Sequence, residues 1–504
     1  LSYNSNLVSK GKLLETKINK TTLISENNSE EIEFITNKLN MLRKKLAKNE
    51  TENDVNYKTL IIEADSLDRK LTQLSSSYAI QKKNLSITWD QVQANLNNDE
   101  AAIEFIRFKG EKDTLYHYNA LIIRKNDSNP ILVQLCTEKE LTKINNKNGF
   151  SAYYPLIWAP IEKYLKDIKT IYYSPIGIIN NVPFAALYEK KGSGDLTVKE
   201  EDRNIIYTEK NANYLIDKYT LHQLTSTRYL AIDLKSKANE KIDKTITLVG
   251  GVNYNYLPGN NEVQNNNLNN NTRSTSIALA YDYLEGTKNE VENINKTLKQ
   301  SGWSTTLLEN NEATEENVLS VENQKANGIL HIATHGFAFV EAKGKLDSIS
   351  KKSIKYNLSY NSNPMKRCGL ILAGANWAWT GSNELVKRNP EAEDGILTAA
   401  QVSLMNLHKT KLVVLSACET GLGKIEGGEG VFGLKRAFKL AGVDQIIVSL
   451  WEVPDEESMQ LMSYFYEDLA KTQNAIVSFE KAQKTMKKYY PNKPDIWAGF
   501  VLVR

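Results

Sequence analysis

Cysteine is scarce in this chain: 504 residues hold only Cys136, Cys368 and Cys418, too few and too scattered for a disulfide framework. That usage suits a reducing compartment, and a cytoplasmic location is expected from it. The five histidines show no ligand spacing to cysteines or carboxylates, so no metal site and no cofactor are indicated. No apolar run is long enough to span a bilayer, which argues against a membrane protein. A charge excess of one sign is missing too. With 63 basic and 60 acidic residues the net charge is +3, and no direct nucleic-acid signal arises from it. What is present, 41% hydrophobic and 24% charged residues, is ordinary for globular proteins and leaves room for two or three domains.

The pattern along the chain divides it into residues 1–86, 87–241 and 242–504. The first part is charged and helical: Ile35, Leu39, Leu42 and Leu46 form one apolar stripe, and Tyr57, Leu60, Ala64, Leu67, Leu71 and Leu74 form a second. Asn28 and Glu31 offer a capping box ahead of the first stripe. The second part reads as strands near 102–108, 116–123, 131–135 and 170–175, followed by a turn into a short helix over 178–187. His117, Cys136 and His222 fall in this part without pairing at strand ends, and packing roles are expected for all three. In the third part, apolar runs near 246–249, 328–333, 412–415 and 445–450 suit buried parallel strands, with helical patterns over 289–298 and 434–440 to cover them. An Asn-rich stretch, Asn260 to Asn271, is expected to be a disordered excursion.

Two short segments of the third part carry chemistry. His331-Ile-Ala-Thr-His335-Gly336 and Leu415-Ser-Ala-Cys418-Glu-Thr-Gly421 each end an apolar run and turn at a glycine. Both put their polar residue at a strand's carboxyl end, the edge where open α/β sheets bind and react. A cysteine thiol, with an ordinary pKa of about 8.5, needs a neighbouring imidazole to take its proton and later protonate a leaving amine. Cys418 is therefore the candidate nucleophile and His335 the candidate base. The backbone N–H groups of Gly336 and Cys418 are candidates for binding an oxyanion. His331 and His335 are separated by about 13 Å of extended chain, so only one can reach the thiol, and His335 at the strand exit is the better base. Taken singly, either residue also reads as a packed thiol or a capped histidine.

Gly428-Glu-Gly430-Val-Phe-Gly433 satisfies G-x-G-x-x-G and opens a helical pattern, with Glu452 at the end of the next strand, as a dinucleotide site requires. The fingerprint, however, needs its glycines in the turn directly after the strand, and here the strand ends near Ser416. The segment is read as a substrate-side loop entering a helix.

The ordered motifs Leu397-Thr-Ala-Ala-Gln-Val, Lys411 to Gly421, Gly427-Gly-Glu-Gly-Val431, Leu434 to Gly442, Ser449-Leu-Trp-Glu-Val-Pro-Asp455 and Trp497-Ala-Gly-Phe-Val-Leu-Val resemble the CHAT family. The resemblance extends over roughly residues 90 to 504. It implies an α/β fold: a caspase-like three-layer sandwich with a mostly parallel sheet, duplicated as an inactive domain and an active one and preceded by a helical segment. The residues 2–15 are similar to the helices that join tetratricopeptide arrays to such domains, and the chain reads as the later part of a longer protein. A cysteine endopeptidase is implied, with His335 and Cys418 as its pair and a protein as its substrate. A regulatory protein or complex acting through the N-terminal helices, and a role in bacterial defence or signalling, are implied as well. A catalytically silent interaction module is the alternative. By similarity to separases, Asp455 is implied to receive a basic side chain before the cut, with Glu452 as its substitute. Pro454-Asp455-Glu456-Glu457 reads equally as a helix start. The polar stretch 341–389 is expected to be an exposed loop, with Lys366-Arg367 and Lys387-Arg388 as candidate self-processing points.

Overall fold

The computed structural model describes residues 55–74, 87–110, 115–144, 149–190, 212–232, 240–258, 281–324, 327–339, 354–382, 384–389, 393–416, 425–426, 430–431, 433–451 and 453–504, together with Tyr3, Asn4, Phe34, Ile35, Lys38, Leu39, Met41, Leu42 and Lys45. Cys418, Glu452, the capping pair Asn28 and Glu31, Leu46 and the stretch Asn260–Asn271 lie outside these residues. So does most of the opening segment 2–15.

The strands, in chain order, are β1 (Glu100–Lys109), β2 (Tyr116–Arg124), β3 (Ile131–Thr137), β4 (Thr170–Ser174), β5 (Thr220–Gln223), β6 (Thr245–Val252), β7 (Ser304–Asn310), β8 (Ile329–Ala333), β9 (Gly336–Ala338), β10 (Cys368–Ile371), β11 (Ile396–Thr398), β12 (Leu412–Ser416), β13 (Ile425–Glu426), β14 (Gly430–Val431), β15 (Gln445–Ser449) and β16 (Phe500–Val503). The helices that matter here are α1 (Val55–Leu74), α2 (Glu285–Gln300), α3 (Ala375–Trp379), α4 (Leu434–Leu440), α5 (Asp455–Thr472) and α6 (Ala475–Tyr489).

Both halves share one sheet of order β3-β2-β1-β4-β5-β16-β15-β12-β8-β6-β7. β7, β6, β8, β12 and β15 are mutually parallel. β16 runs against β15, and β5, β4 and β1 follow the direction of β16. The sheet therefore holds two parallel sets of opposite polarity, and their carboxyl ends open at opposite edges.

Alternation explains the layers. In β12, Val413 and Leu415 face a core built with Leu370 and Ile371 of β10 and Phe438 of α4. Leu412 and Val414 face the other core, with Val291 and Ile294 of α2, Phe465 of α5 and Phe479 of α6. Successive side chains of a strand point to opposite faces, so continuous apolar runs are what a sheet covered on both sides demands. The mixed α/β, three-layer architecture with a mostly parallel central region is the one expected. At the N-terminal end, Ile35, Leu39 and Leu42 are buried against Leu60, Ala64 and Leu67 of α1, which makes the two stripes the two sides of a helix pair. Among the described residues no helix is long and apolar enough to cross a membrane.

The stretch expected to be an exposed loop differs. β10 lies in its middle and pairs with β9 on one side and β11 on the other. Lys366 and Arg367 are 7% and 1% exposed, so a self-processing point there is ruled out by burial. Polar sequence misled because Arg367 is held internally, its guanidinium donating to the Asn361 carbonyl at 2.7 Å. Lys387 and Arg388 do lie exposed, in the last turn of a short helix over Glu384–Arg388. Cys136 also falls within β3, not past it.

His222 of β5 stacks on Tyr172 with ring centroids 5.0 Å apart. Burial, with the nearby Arg504 charge, pushes its imidazole down from 6.5 to about 4. Between these values the unfolded chain binds the proton and the folded chain does not, so stability is full above pH 6.5 and falls as pH drops toward 4. The limit of that loss is on the order of 3 kcal/mol. The free energy of urea unfolding is expected to decrease between pH 7 and pH 5 by more in the wild type than in His222→Phe, and equal decreases would exclude the linkage.

Candidate active site

β8 leaves the sheet through Thr334, His335 and Gly336. The Thr334 hydroxyl donates to the Ile371 carbonyl at 2.5 Å, and Tyr254 O–H reaches the same threonine at 3.0 Å. The Ile371 N–H donates to the His335 carbonyl at 2.9 Å, which locks the exit to β10. Bonded and non-bonded pairs alternate in an antiparallel ladder. Since 335–371 is bonded, Gly336, opposite Leu370, falls at a non-bonded pair and its N–H points away from β10.

The His335 ring is half-buried between Tyr254 and Tyr281, with centroids 5.2 Å and 5.0 Å away. Its Nε2 lies 2.9 Å from the Asp282 carbonyl oxygen. A carbonyl can only accept, so Nε2 carries the hydrogen and Nδ1 is the basic nitrogen of the neutral ring.

Beneath this exit a buried polar chain joins two strands to two helices. Glu290 of α2 accepts from Ser416 Oγ of β12 at 3.0 Å and lies 2.9 Å from His331 Nε2 of β8. His331 Nδ1 is 3.0 Å from the Tyr466 hydroxyl of α5. The contact between Glu290 and His331 is one of proximity, without hydrogen-bond geometry. Burial first, and then the Glu290 charge, hold the Tyr466 phenol well above its ordinary range, which keeps its proton in place for the bond to His331. His331 is fully enclosed and bonded through Nδ1 to Tyr466, which makes it a structural residue out of a substrate's reach.

Asp455 is the first residue of α5, exposed, with Glu456 and Glu457 beside it in the first turn. It also packs on the start of α2: a Cβ on Gly286 would stand 2.7 Å from the Asp455 Cβ. It lines a cavity of about 30 Å³ with Glu290, Thr334, Ser416, Ser449 and Trp451, just past the carboxyl ends of β8, β12 and β15. Glu452 and Cys418 lie outside the described residues. The glycine-rich segment is described at β13 and β14, which pair as a small hairpin, and at Gly433, where α4 begins.

Glu290 and the aromatic pair around His335 are the residues that sequence reading missed. A signal for Glu290 exists. It interrupts the stripe Thr287, Val291, Ile294, Leu298 on the buried face of α2, where a carboxylate needs a partner. The Asp282 contact is made by a main-chain carbonyl and has no residue-type signature.

Cys136 and Cys368 are buried, and burial pushes both thiols up to about 12. Iodoacetamide at neutral pH is expected to leave both unmodified in the native protein, and peptide mapping that finds either one alkylated would refute this.

The family model described as CHAT domain matches residues 150–504. Tetratricopeptide repeat protein 28 of Homo sapiens is 34% identical over 121 residues, and that of Mus musculus 33% over 121, in each case 24% of this chain and 5% of the relative. The matched part of the chain thus spans about 5% of the length of these curated relatives. Among solved structures, the Arg-specific cysteine proteinase gingipain R is similar with 10% identity and a TM-score of 0.36, covering 69% of this chain and 67% of that one. Separase in the Saccharomyces cerevisiae separase–securin complex is similar with 10% identity and a TM-score of 0.37, covering 95% of this chain and 34% of that one.

Proposed function

Because this chain belongs to the CHAT domain family, we propose that it is a cysteine endopeptidase that cleaves a protein substrate through His335 and Cys418. The observation that carries this reading is one of register. Ala333 and Ser416 are partners on the adjacent parallel strands β8 and β12, and His335 and Cys418 each follow their partner by two residues. Neighbouring strands lie about 4.8 Å apart, so two such exits serve one reacting carbonyl.

In this reading Nδ1 of His335 takes the thiol proton, because Nε2 is committed to the Asp282 carbonyl. The thiolate adds to the scissile carbonyl, and the developing oxyanion is met by the Gly336 and Cys418 N–H groups. The imidazolium then returns its proton to the leaving amine. Water, deprotonated by the same nitrogen, hydrolyses the thioester and frees the thiol.

The exposed surface at Asp455, beside the small cavity past the strand ends, is the proposed seat of the residue before the cut. A carboxylate there favours a guanidinium or ammonium and repels an acidic side chain, so Arg or Lys is the preferred residue. Glu452 is the second acid proposed for that role. Control is proposed to act through the N-terminal region, engaged by a regulatory protein or complex. Tyr3 supports this, being buried with Ile87 and Val92 and bonded at 2.8 Å to Thr227.

Cys418→Ala and His335→Ala are each expected to lower kcat/KM by about a thousandfold or more without lowering thermal stability. Full turnover by soluble Cys418→Ala would remove Cys418 as the nucleophile, whereas a wild-type chain with no turnover and an unreactive Cys418 would leave the silent-module reading in its place. Asp455→Ala is expected to lower kcat/KM for a substrate with Arg before the cut by about a hundredfold, as loss of one member of a paired charge does. Peptide-library profiling that finds an unchanged preference in that variant would remove the basic pocket.

A further inference from the structure

We propose that Asn376 is a positioning residue for His335, acting as a latch on the main chain at Tyr281 and Asp282; its effect on turnover rests on the peptidase reading above. Asn376 belongs to α3, in the stretch whose sequence suggested a surface loop, yet it is 5% exposed. Its Oδ1 accepts from the Tyr281 N–H at 2.9 Å, and its Nδ2 donates to the Tyr281 carbonyl at 2.9 Å. Both main-chain groups of the residue before Asp282 are thus fixed by one side-chain amide. Nδ2 also donates to Asn255 Oδ1 at 2.9 Å, and the Asn376 N–H donates to the Tyr254 carbonyl at 3.1 Å.

These bonds converge on the base. Tyr254 and Tyr281 flank the His335 ring, and Asp282 supplies the carbonyl that takes Nε2–H. Trp379, three residues on in α3, meets the Tyr281 ring edge-on at 5.0 Å and holds it from behind. A side chain that must accept from one peptide N–H and donate to the same residue's carbonyl needs the amide of Asn. Aspartate lacks the donor and alanine lacks both.

An acceptor on Nε2–H fixes the tautomer that leaves Nδ1 basic, and it favours the imidazolium. Releasing the latch should free the carbonyl to drift, mix the tautomers and lower the basicity of His335. A merely structural asparagine would change stability and leave the imidazole as it was.

The test uses the full chain labelled with [15N]histidine, with His335→Gln identifying the His335 signals. The wild type is expected to show neutral His335 protonated at Nε2. In Asn376→Ala that preference should be lost and the His335 pKa should fall by roughly half a unit or more. Against a peptide with Arg before the cut, kcat/KM should fall about 10- to 100-fold. KM should move little and the acid limb of the pH profile should shift downward. If Asn376→Ala fails to fold, Asn376→Asp, which keeps the acceptor and loses the donors, is expected to show the same changes. Unchanged tautomer and pKa in either folded variant would overturn the latch, whatever happens to turnover. An Asn376-dependent tautomer in a protein whose Cys418 resists alkylation would uphold the latch and remove the peptidase reading instead.

Discussion

A single buried carboxylate organises the centre of this molecule. Glu290 is 3% exposed, accepts from Ser416 on one strand and lies 2.9 Å from His331 on the next, so the two strands that lead to the candidate site meet the same helix. A buried carboxyl group is tolerable only beside polar neighbours, and taking away the Ser416 hydroxyl that donates to it leaves a buried acceptor unmet. The arrangement extends to Tyr466, and through it to α5, whose first residue borders the cavity past the strand ends. Strand register, helix placement and cavity shape are thus set by one group.

The polarity of the sheet explains how two halves divide the work. Because β16 reverses direction against β15, the parallel strands of the first half end at the edge opposite the candidate site. Those ends carry a cluster of their own, in which Glu104 accepts from Ser226 Oγ, Thr227 N–H and Thr227 Oγ1 at 2.9, 2.6 and 2.9 Å. Contact with the other half runs elsewhere: Lys435 of α4 donates to Asn180 at 3.1 Å, and burial lowers its ammonium to about 8. The two halves therefore meet along the shared sheet and around α4, with their parallel strands ending at opposite edges.

Much of this was legible in the sequence because strands covered on both faces must be continuous apolar runs; β6, β8, β12 and β15 announce themselves in that way. The helix pair was legible for the complementary reason, a stripe at helical spacing. β5 and β7 were not, since Thr220-Leu-His-Gln and Ser304-Thr-Thr-Leu-Leu-Glu-Asn are at least half polar, and β16, though apolar, has only the four residues Phe500-Val-Leu-Val. β10 was hidden by its flanks: Lys366-Arg367 reads as surface until a main-chain acceptor is found for the guanidinium. At the site, residue types revealed His335, while its surroundings, a carbonyl and two tyrosines distant in sequence, are products of the fold alone.

β5 and β16 meet through one residue pair, Val503 with Gln223, extended by the Arg504 N–H to the Gln223 carbonyl and the Thr225 N–H to the Arg504 carbonyl. Side chains make up the rest of the joint: Phe150 stacks on Trp451 at 5.3 Å and Tyr214 meets Trp497 edge-on at 5.0 Å. The two halves thus close over one common core, and a change of volume on either side of the seam is felt by both. β1, β2 and β3 hang from the sheet beyond β4 and precede the matched residues 150–504, so the seam between the halves lies wholly inside the matched region.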